Sequence, residues 1–322
     1  MKRQIILSTL IAVAMTAGAK VTLPKIFSNG MVMQQQTDAN IWGKANANAT
    51  VKISTSWNKK TITVKSDSEG EWKAKVQTPQ AGGPYSITFS DGEKTTLDNI
   101  LVGELWICSG QSNMEMPMKG FKNQPVENAV EDILHSGDKE MRLFTVKRTS
   151  KFAPVDDVVG EWKEACPESV RDFSATAYYF GRELRSMLGV PVGLIVTSWG
   201  GSSCEAWMNR DWLKAFPQIE LPTSQETIKS KNRTATVLYN GMLRPLIGVS
   251  MRGVIWYQGE ENVSRSSYYA DLFSRMIRDG ERNGNRAIFP STSVRLPLTT
   301  IASSNGSSIT VPFFASNRLR RN

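Results

Sequence analysis

Between residues 20 and 98, apolar and polar positions alternate in short runs. The segments ATVKIST, KTITVKSD, GEWKAKVQ and PYSITFSDG switch kind at nearly every step, and Gly, Asn, Asp and Pro separate them. A period of two sends successive side chains to opposite faces, so each run predicts a half-buried strand. Short strands at regular spacing, with turn residues between them, predict a small all-β sandwich over residues 20–98. No helical period competes there, and the segment holds no reactive constellation.

From Asn99 the pattern changes. NILVGELWICSG, VGLIVTSWGGSS and SMRGVIWYQGEEN are apolar runs without alternation, the pattern of strands covered on both faces. Between them, RDFSATAYYFGRELRSMLG repeats apolar residues at helical spacing. Phe173, Ala177, Phe180, Leu184 and Leu188 share one face, and Gly189 is placed to end the helix. SSYYADLFSRMI does the same through Tyr269, Leu272, Phe273 and Met276. Buried strands alternating with helices predict an α/β domain on a parallel sheet, over residues 99–279. No internal repeat or low-complexity linker interrupts it.

Each of the three buried strands ends in small or polar residues: Ser112 between Gln111 and Asn113, then Gly200-Gly201, then Gly259 to Asn262. In open α/β sheets the site lies beyond the carboxyl ends of the strands, so these clusters are expected to converge. A serine after a strand is also what an ordinary polar turn looks like. A hydroxyl, a glycine N–H and an asparagine amide together are the parts of an acyl-transfer site. The serine would attack a carbonyl, and its own N–H, a glycine N–H and a side-chain amide would hold the oxyanion.

Composition narrows the reading. Forty per cent hydrophobic and 21% charged residues in 322 describe ordinary globular protein. MKRQIILSTLIAVAMTAGA opens with Lys2 and Arg3, continues apolar and closes on Ala17-Gly18-Ala19, the form of a secretory signal peptide. An exported protein beginning near Lys20 is expected, with no membrane span. Three cysteines and one histidine, without a C-x-x-C pair, argue against a metal site, and no cofactor is expected. The net charge of +9 is not gathered into a basic stripe with interleaved aromatics, so nucleic acid is not an expected partner.

The strand-end blocks resemble a known family. VGELWICSGQSNMEMPM is similar to the nucleophile block of the sialate O-acetylesterase-like branch of the SGNH hydrolases. SWGGSSCEAWM resembles its glycine block, RGVIWYQGEEN its W-Y-Q-G-E-x-N block, and LPKIFSNGMVMQQQTDANIWGKA the opening of its accessory β-domain. The resemblance covers roughly residues 20 to 278 and is far more specific than any single triplet. It implies a three-layer α/β/α fold and the removal of O-acetyl groups from a sugar, a sialic acid-type glycan being the type substrate. By the same resemblance, Ser112 is the nucleophile, and Gly201 (or Gly200) and Asn262 are the oxyanion positions. Gln111, Asn113, Gln258 and Glu260 line the same loops in supporting roles. Two other readings stay open: a carbohydrate-binding protein without turnover, and an SGNH esterase for other acetylated sugars such as xylan. Oligomeric state is not legible.

One part is missing. Such esterases need a base beside the serine, and the family supplies it from a late D-x-x-H motif that this sequence lacks. His135 closes the helical stretch VENAVEDILHSGDKE and reads as a solvated helix-end residue. The tail differs from the body: from Gly280 to Asn322 there are six arginines, one acid (Glu281) and no lysine. Where the family continues with W-R-x-x-W, F-P-F and Q-x-A-P, this chain has RDGERNGNRAIFPSTSVRLPL. Read with the codons displaced by one base, Asp279-Gly280 allows Trp, Gly280-Glu281 Arg, Asn283-Gly284 Trp, and Leu296-Pro297-Leu298 Ala-Pro. The expectation is a one-nucleotide shift near Asp279, an incomplete esterase domain, an open strand edge, and an aberrant tail over residues 280–322 that does not pack.

Overall fold

The computed structural model describes residues 20–58, 60–283 and 293–295. Six strands come first: β1 (Val32–Gln34), β2 (Asp38–Lys44), β3 (Thr50–Thr55), β4 (Thr61–Lys65), β5 (Glu71–Gln77) and β6 (Gly82–Ser90). The four alternating runs are β3 to β6. In β5, Trp72, Ala74 and Val76 point inward while their neighbours face solvent. β1 and β2 escaped the pattern for a physical reason. β1 has three residues, all buried, and β2 buries Ala39, Asn40 and Ile41 in succession, so neither alternates cleanly. β4, β3 and β6 form an antiparallel sheet, and β2 pairs with β5 as a two-stranded ribbon.

The next strand, β7 (Lys94–Gly110), crosses the position where the pattern changes. Its first half pairs antiparallel with β6, and residues 101–103 run parallel to β1. Its last seven residues lie parallel to β10 (Val192–Ser198) and its last five to β11 (Gly253–Tyr257). Asn99, in the left-handed region at φ 58°, marks the switch from a half-exposed to a wholly buried strand. One strand therefore belongs to both the antiparallel N-terminal sheet and the parallel one.

The second sheet has the order β9–β8–β10–β7–β11–β12, where β8 is Asp138–Thr145, β9 is Trp162–Ala165 and β12 is Ser293–Arg295. All neighbours are parallel except β8 and β9. Six helices accompany it: α1 (Ser112–Glu115), α2 (Ala129–Leu134), α3 (Pro167–Val170), α4 (Ala175–Leu188), α5 (Arg210–Leu213) and α6 (Ser266–Asn283). The sheet has helices on both faces. Trp106, Cys108, Leu194 and Val196 pack on one side with Ala177 and Tyr178 of α4. Ile107, Ile195 and Trp256 pack on the other with Leu272, Phe273 and Met276 of α6.

α4 begins at Ser174, whose side chain accepts from the Ala177 N–H, and ends at Gly189 in the left-handed conformation. Its buried face matches the expected one in part: Phe173 and Ala177 are buried, and Phe180 and Leu184 are half-buried against the same core. Ala175, Ala177, Tyr178 and Gly181 face inward, while Leu188 is exposed and Phe173 precedes the helix. The expected face of α6 holds, with Tyr269, Leu272, Phe273 and Met276 all buried. β11 is paired on both sides, because Ser293–Arg295 add to it in parallel register, so the open edge expected there is filled. Residues 1–19, and the tail 280–322 apart from the end of α6 and β12, lie outside the described residues.

Candidate active site

The three strand ends stand level. Gly110 of β7 is opposite Ser198 of β10 on one side and Tyr257 of β11 on the other. Because the strands are parallel, all three chains leave the sheet from the same edge, and the predicted clusters meet there. Gly110 lets β7 end this close to β11. Its φ is +143°, and a Cβ would come within 2.0 Å of the Tyr257 carbonyl oxygen.

Ser112 opens α1 two residues beyond that glycine, after Gln111. As a first helical residue, its N–H has no partner within the helix. Its hydroxyl has no hydrogen-bond partner among the described residues. Gly200 lies against it, since a Cβ on Gly200 would sit 3.7 Å from both Cα and Cβ of Ser112. The Gly200 N–H is taken by the carboxylate of Glu115. Gly201, at φ +65°, follows, and its N–H donates to nothing among the described residues. Of the two candidate glycines, Gly201 is therefore the one with a free donor.

The flanking polar residues tie the three loops together. Gln111 is 3% exposed, and its side-chain oxygen accepts from the N–H groups of Gly259 at 3.2 Å and Glu261 at 3.3 Å. Asn113 donates to Glu260 at 2.7 Å. Gln258 donates to the Ser202 carbonyl at 3.0 Å and to Asn262 Oδ1 at 2.7 Å. Asn262 is deeply buried. Its oxygen also accepts from the Cys204 N–H at 2.9 Å, and its amide donates to Glu205 at 2.8 Å, leaving one N–H uncommitted.

Sequence reasoning missed a set of charges around this core. Arg148 pairs with Glu115, and its guanidinium lies 5.9 Å from the ring centroid of Trp199. Arg233 pairs with Glu261 at 3.0 Å, and Arg265 with Glu205 at 3.2 Å. Glu115, Glu205 and Glu261 stand inside the quoted blocks, but Arg148 and Arg233 lie in loops without periodicity and carry no local signal, and Arg265 ends a short 3-10 helix just past the third block. Cys204 is no competing nucleophile: burial, and then the Glu205 carboxylate, push its thiol well above the ordinary value.

The chain was compared with known proteins. The family model for the carbohydrate esterase, sialic acid-specific acetylesterase family matches residues 102–306. The chain belongs to this acetylesterase family. Sialate O-acetylesterases of Homo sapiens and Pongo abelii are each 30% identical to it over 295 residues, covering 84% of this chain and 55% of theirs. The crystal structure of a carbohydrate acetylesterase from Xanthomonas citri superposes with a TM-score of 0.78 at 31% identity, covering 89% of this chain and 62% of that one. The chain thus spans about half the length of the curated relatives it matches.

In this member of the acetylesterase family, the single histidine stays apart from the strand ends. His135 caps α2, and its ring contacts the Glu131 carbonyl at 3.0 Å and the Glu131 carboxylate at 3.2 Å. Its side chain is 72% exposed. Among the described residues, no group of three or more His, Cys, Asp or Glu side chains gathers as for a metal ion, and no helix is long and apolar enough to cross a membrane.

Proposed function

We propose that this chain carries the nucleophile half of a carbohydrate O-acetylesterase acting on O-acetylated sialic acid-type glycans. The observation that carries the reading is the unpartnered Ser112 hydroxyl set against Gly200 where three parallel strands end together. Ser112 Oγ attacks the acetyl carbonyl and forms an acetyl-enzyme as the sugar hydroxyl leaves; water then releases acetate. The N–H groups of Ser112 and Gly201, with the uncommitted N–H of Asn262, face the developing oxyanion. The hydrogen bonds through Gln111, Asn113, Gln258 and Glu260 hold the three loops in one arrangement.

The serine has no base among the described residues, and the only imidazole of the sequence bonds to its own helix. The 322-residue chain is therefore proposed to hydrolyse acetyl esters at or near the background rate. A protein read one base earlier from about codon 279, so that it acquires the Asp-x-x-His segment, is the proposed active form. The test uses a chromogenic acetyl ester with both proteins. The extended protein turns over, and Ser112→Ala in it lowers kcat by several orders of magnitude. Near-full turnover by that variant would overturn the role of Ser112. Robust turnover by the 322-residue chain, lost in both Ser112→Ala and His135→Ala, would make His135 the base instead. Applied to the extended protein, a serine-reactive probe separates the binding-protein reading, which predicts no labelling at Ser112. No observation favours xylan over sialic acid-type glycans.

A further inference from the structure

Three consecutive residues at the end of β10 organise the mouth of the site. The Trp199 ring lies beneath the Arg148 guanidinium. Gly200 touches Ser112. A Cβ on Gly201 would sit 3.7 Å from Arg233 Nη2. Residues 199 to 201 are consecutive, so the two cations lie against neighbouring positions of the strand end that touches Ser112.

Both arginines are fixed from below and open above. Arg148 is 51% exposed, whereas Glu115, its partner through Nη2, is 13% exposed. Arg233 is 56% exposed and Glu261 is 21% exposed. Nε of Arg233 also reaches the Gly201 carbonyl at 3.3 Å. The carboxylates therefore anchor one edge of each guanidinium, and about half of each arginine side chain is open to solvent. A guanidinium presents five donors in a planar fork that matches a carboxylate, and one anchored edge leaves the other available. Each pair joins a half-exposed arginine to a mostly buried carboxylate, so one part of the guanidinium serves the carboxylate and the rest is open to a ligand.

We propose that Arg148 and Arg233 form a carboxylate-binding rim around Ser112 and select an acidic sugar over a neutral one. The assignment rests on the acetylesterase reading of the same site and names the residues that decide its substrate class. It also bears on chemistry. Arg148 offsets the charge of Glu115, whose carboxylate accepts from the Gly200 N–H beside the proposed Gly201 donor.

Binding tests the rim without requiring turnover. The full chain is titrated by calorimetry with a sialic acid methyl glycoside and with its C1 methyl ester, two ligands that differ in one charge. The acid binds about tenfold more tightly than the ester, the worth of one charge-assisted hydrogen bond. The preference shrinks with added salt. Arg148→Ala and Arg233→Ala each reduce it, and Arg148→Lys, which keeps charge but not the fork, retains part of it. Unchanged thermal midpoints by circular dichroism show that these surface variants fold. Equal binding of the two ligands, binding of neither, or a preference intact in both alanine variants would overturn the assignment. The acetyl-ester assay with Ser112→Ala reports on the hydrolase reading alone, so the two can fail separately.

Discussion

At the scale of the residue, the site separates groups that hold structure from one that does not. Gln111 and Ser112 are neighbours in sequence with opposite duties. The Gln111 oxygen satisfies two loop N–H groups, Gly259 and Glu261, from a buried position. Removing it leaves both donors without that acceptor, and Gln111→Ala is expected to cost about 1–3 kcal/mol. The Ser112 hydroxyl binds nothing among the described residues, so Ser112→Ala is expected to change stability by no more than about 0.5 kcal/mol. Urea unfolding of the two variants checks the contrast; a large loss in Ser112→Ala would mean that its hydroxyl is structural. Ser112 was legible because a nucleophile block is contiguous. Arg148 and Arg233 were not, since their relation to Ser112 exists only once β10 brings Trp199 and Gly201 beside it.

At the scale of the element, packing adjusted what periodicity pointed to in α4. Its spacing pointed to Phe173, Ala177, Phe180, Leu184 and Leu188 as one stripe; Ala177 is buried as expected, but Gly181 is buried beside it while Phe180 and Leu184 are half-buried and Leu188 is exposed. A Cβ on Gly181 would come within 2.6 Å of Leu194 Cδ1, so small residues permit a close approach and the large ones spread to the flanks. α2, with no buried residue, is held to α4 by polar contacts instead. Asp132 accepts from the Tyr179 hydroxyl at 2.7 Å and pairs with Arg182 at 2.6 Å. The Tyr179 hydrogen bond, followed by Arg182, keeps Asp132 below its ordinary 3.8, while burial and the hydrogen bond to Asp132 push Tyr179 up to about 12. A folded carboxyl pKa below the unfolded one contributes stability in full above the unfolded value and loses it as pH falls through the folded value. Asp132→Asn should therefore lower the thermal midpoint near neutral pH. Its deficit against the wild type should shrink as pH falls below 3.8. A deficit that stayed constant with pH would assign the effect to packing.

At the scale of the whole molecule, β7 makes the two sheets mechanically one. It pairs with β6 and β1 in its first part and with β10 and β11 in its last. Far- and near-ultraviolet circular dichroism are expected to report one coincident unfolding transition; two separated transitions would show that the strand does not couple the halves. The N-terminal segment MKRQIILSTLIAVAMTAGA leads to a further expectation, that protein taken from the native cell envelope begins at or near Lys20. Intact mass measures this, and retention of Met1 to Ala19 would contradict it. Alternation by itself determined β3 to β6, and unbroken apolar runs determined the three central strands, because face-to-face period is a local property of a pleated backbone. Contiguous motifs determined Ser112 and its amide neighbours in the same way. Only the tertiary structure decided that one strand serves both sheets, which glycine keeps a free N–H, which residues of α4 lie deepest, and that two distant arginines lie against Trp199 and Gly201. Each of these depends on residues far apart in the chain meeting at a particular register and distance, and no local period encodes such a meeting.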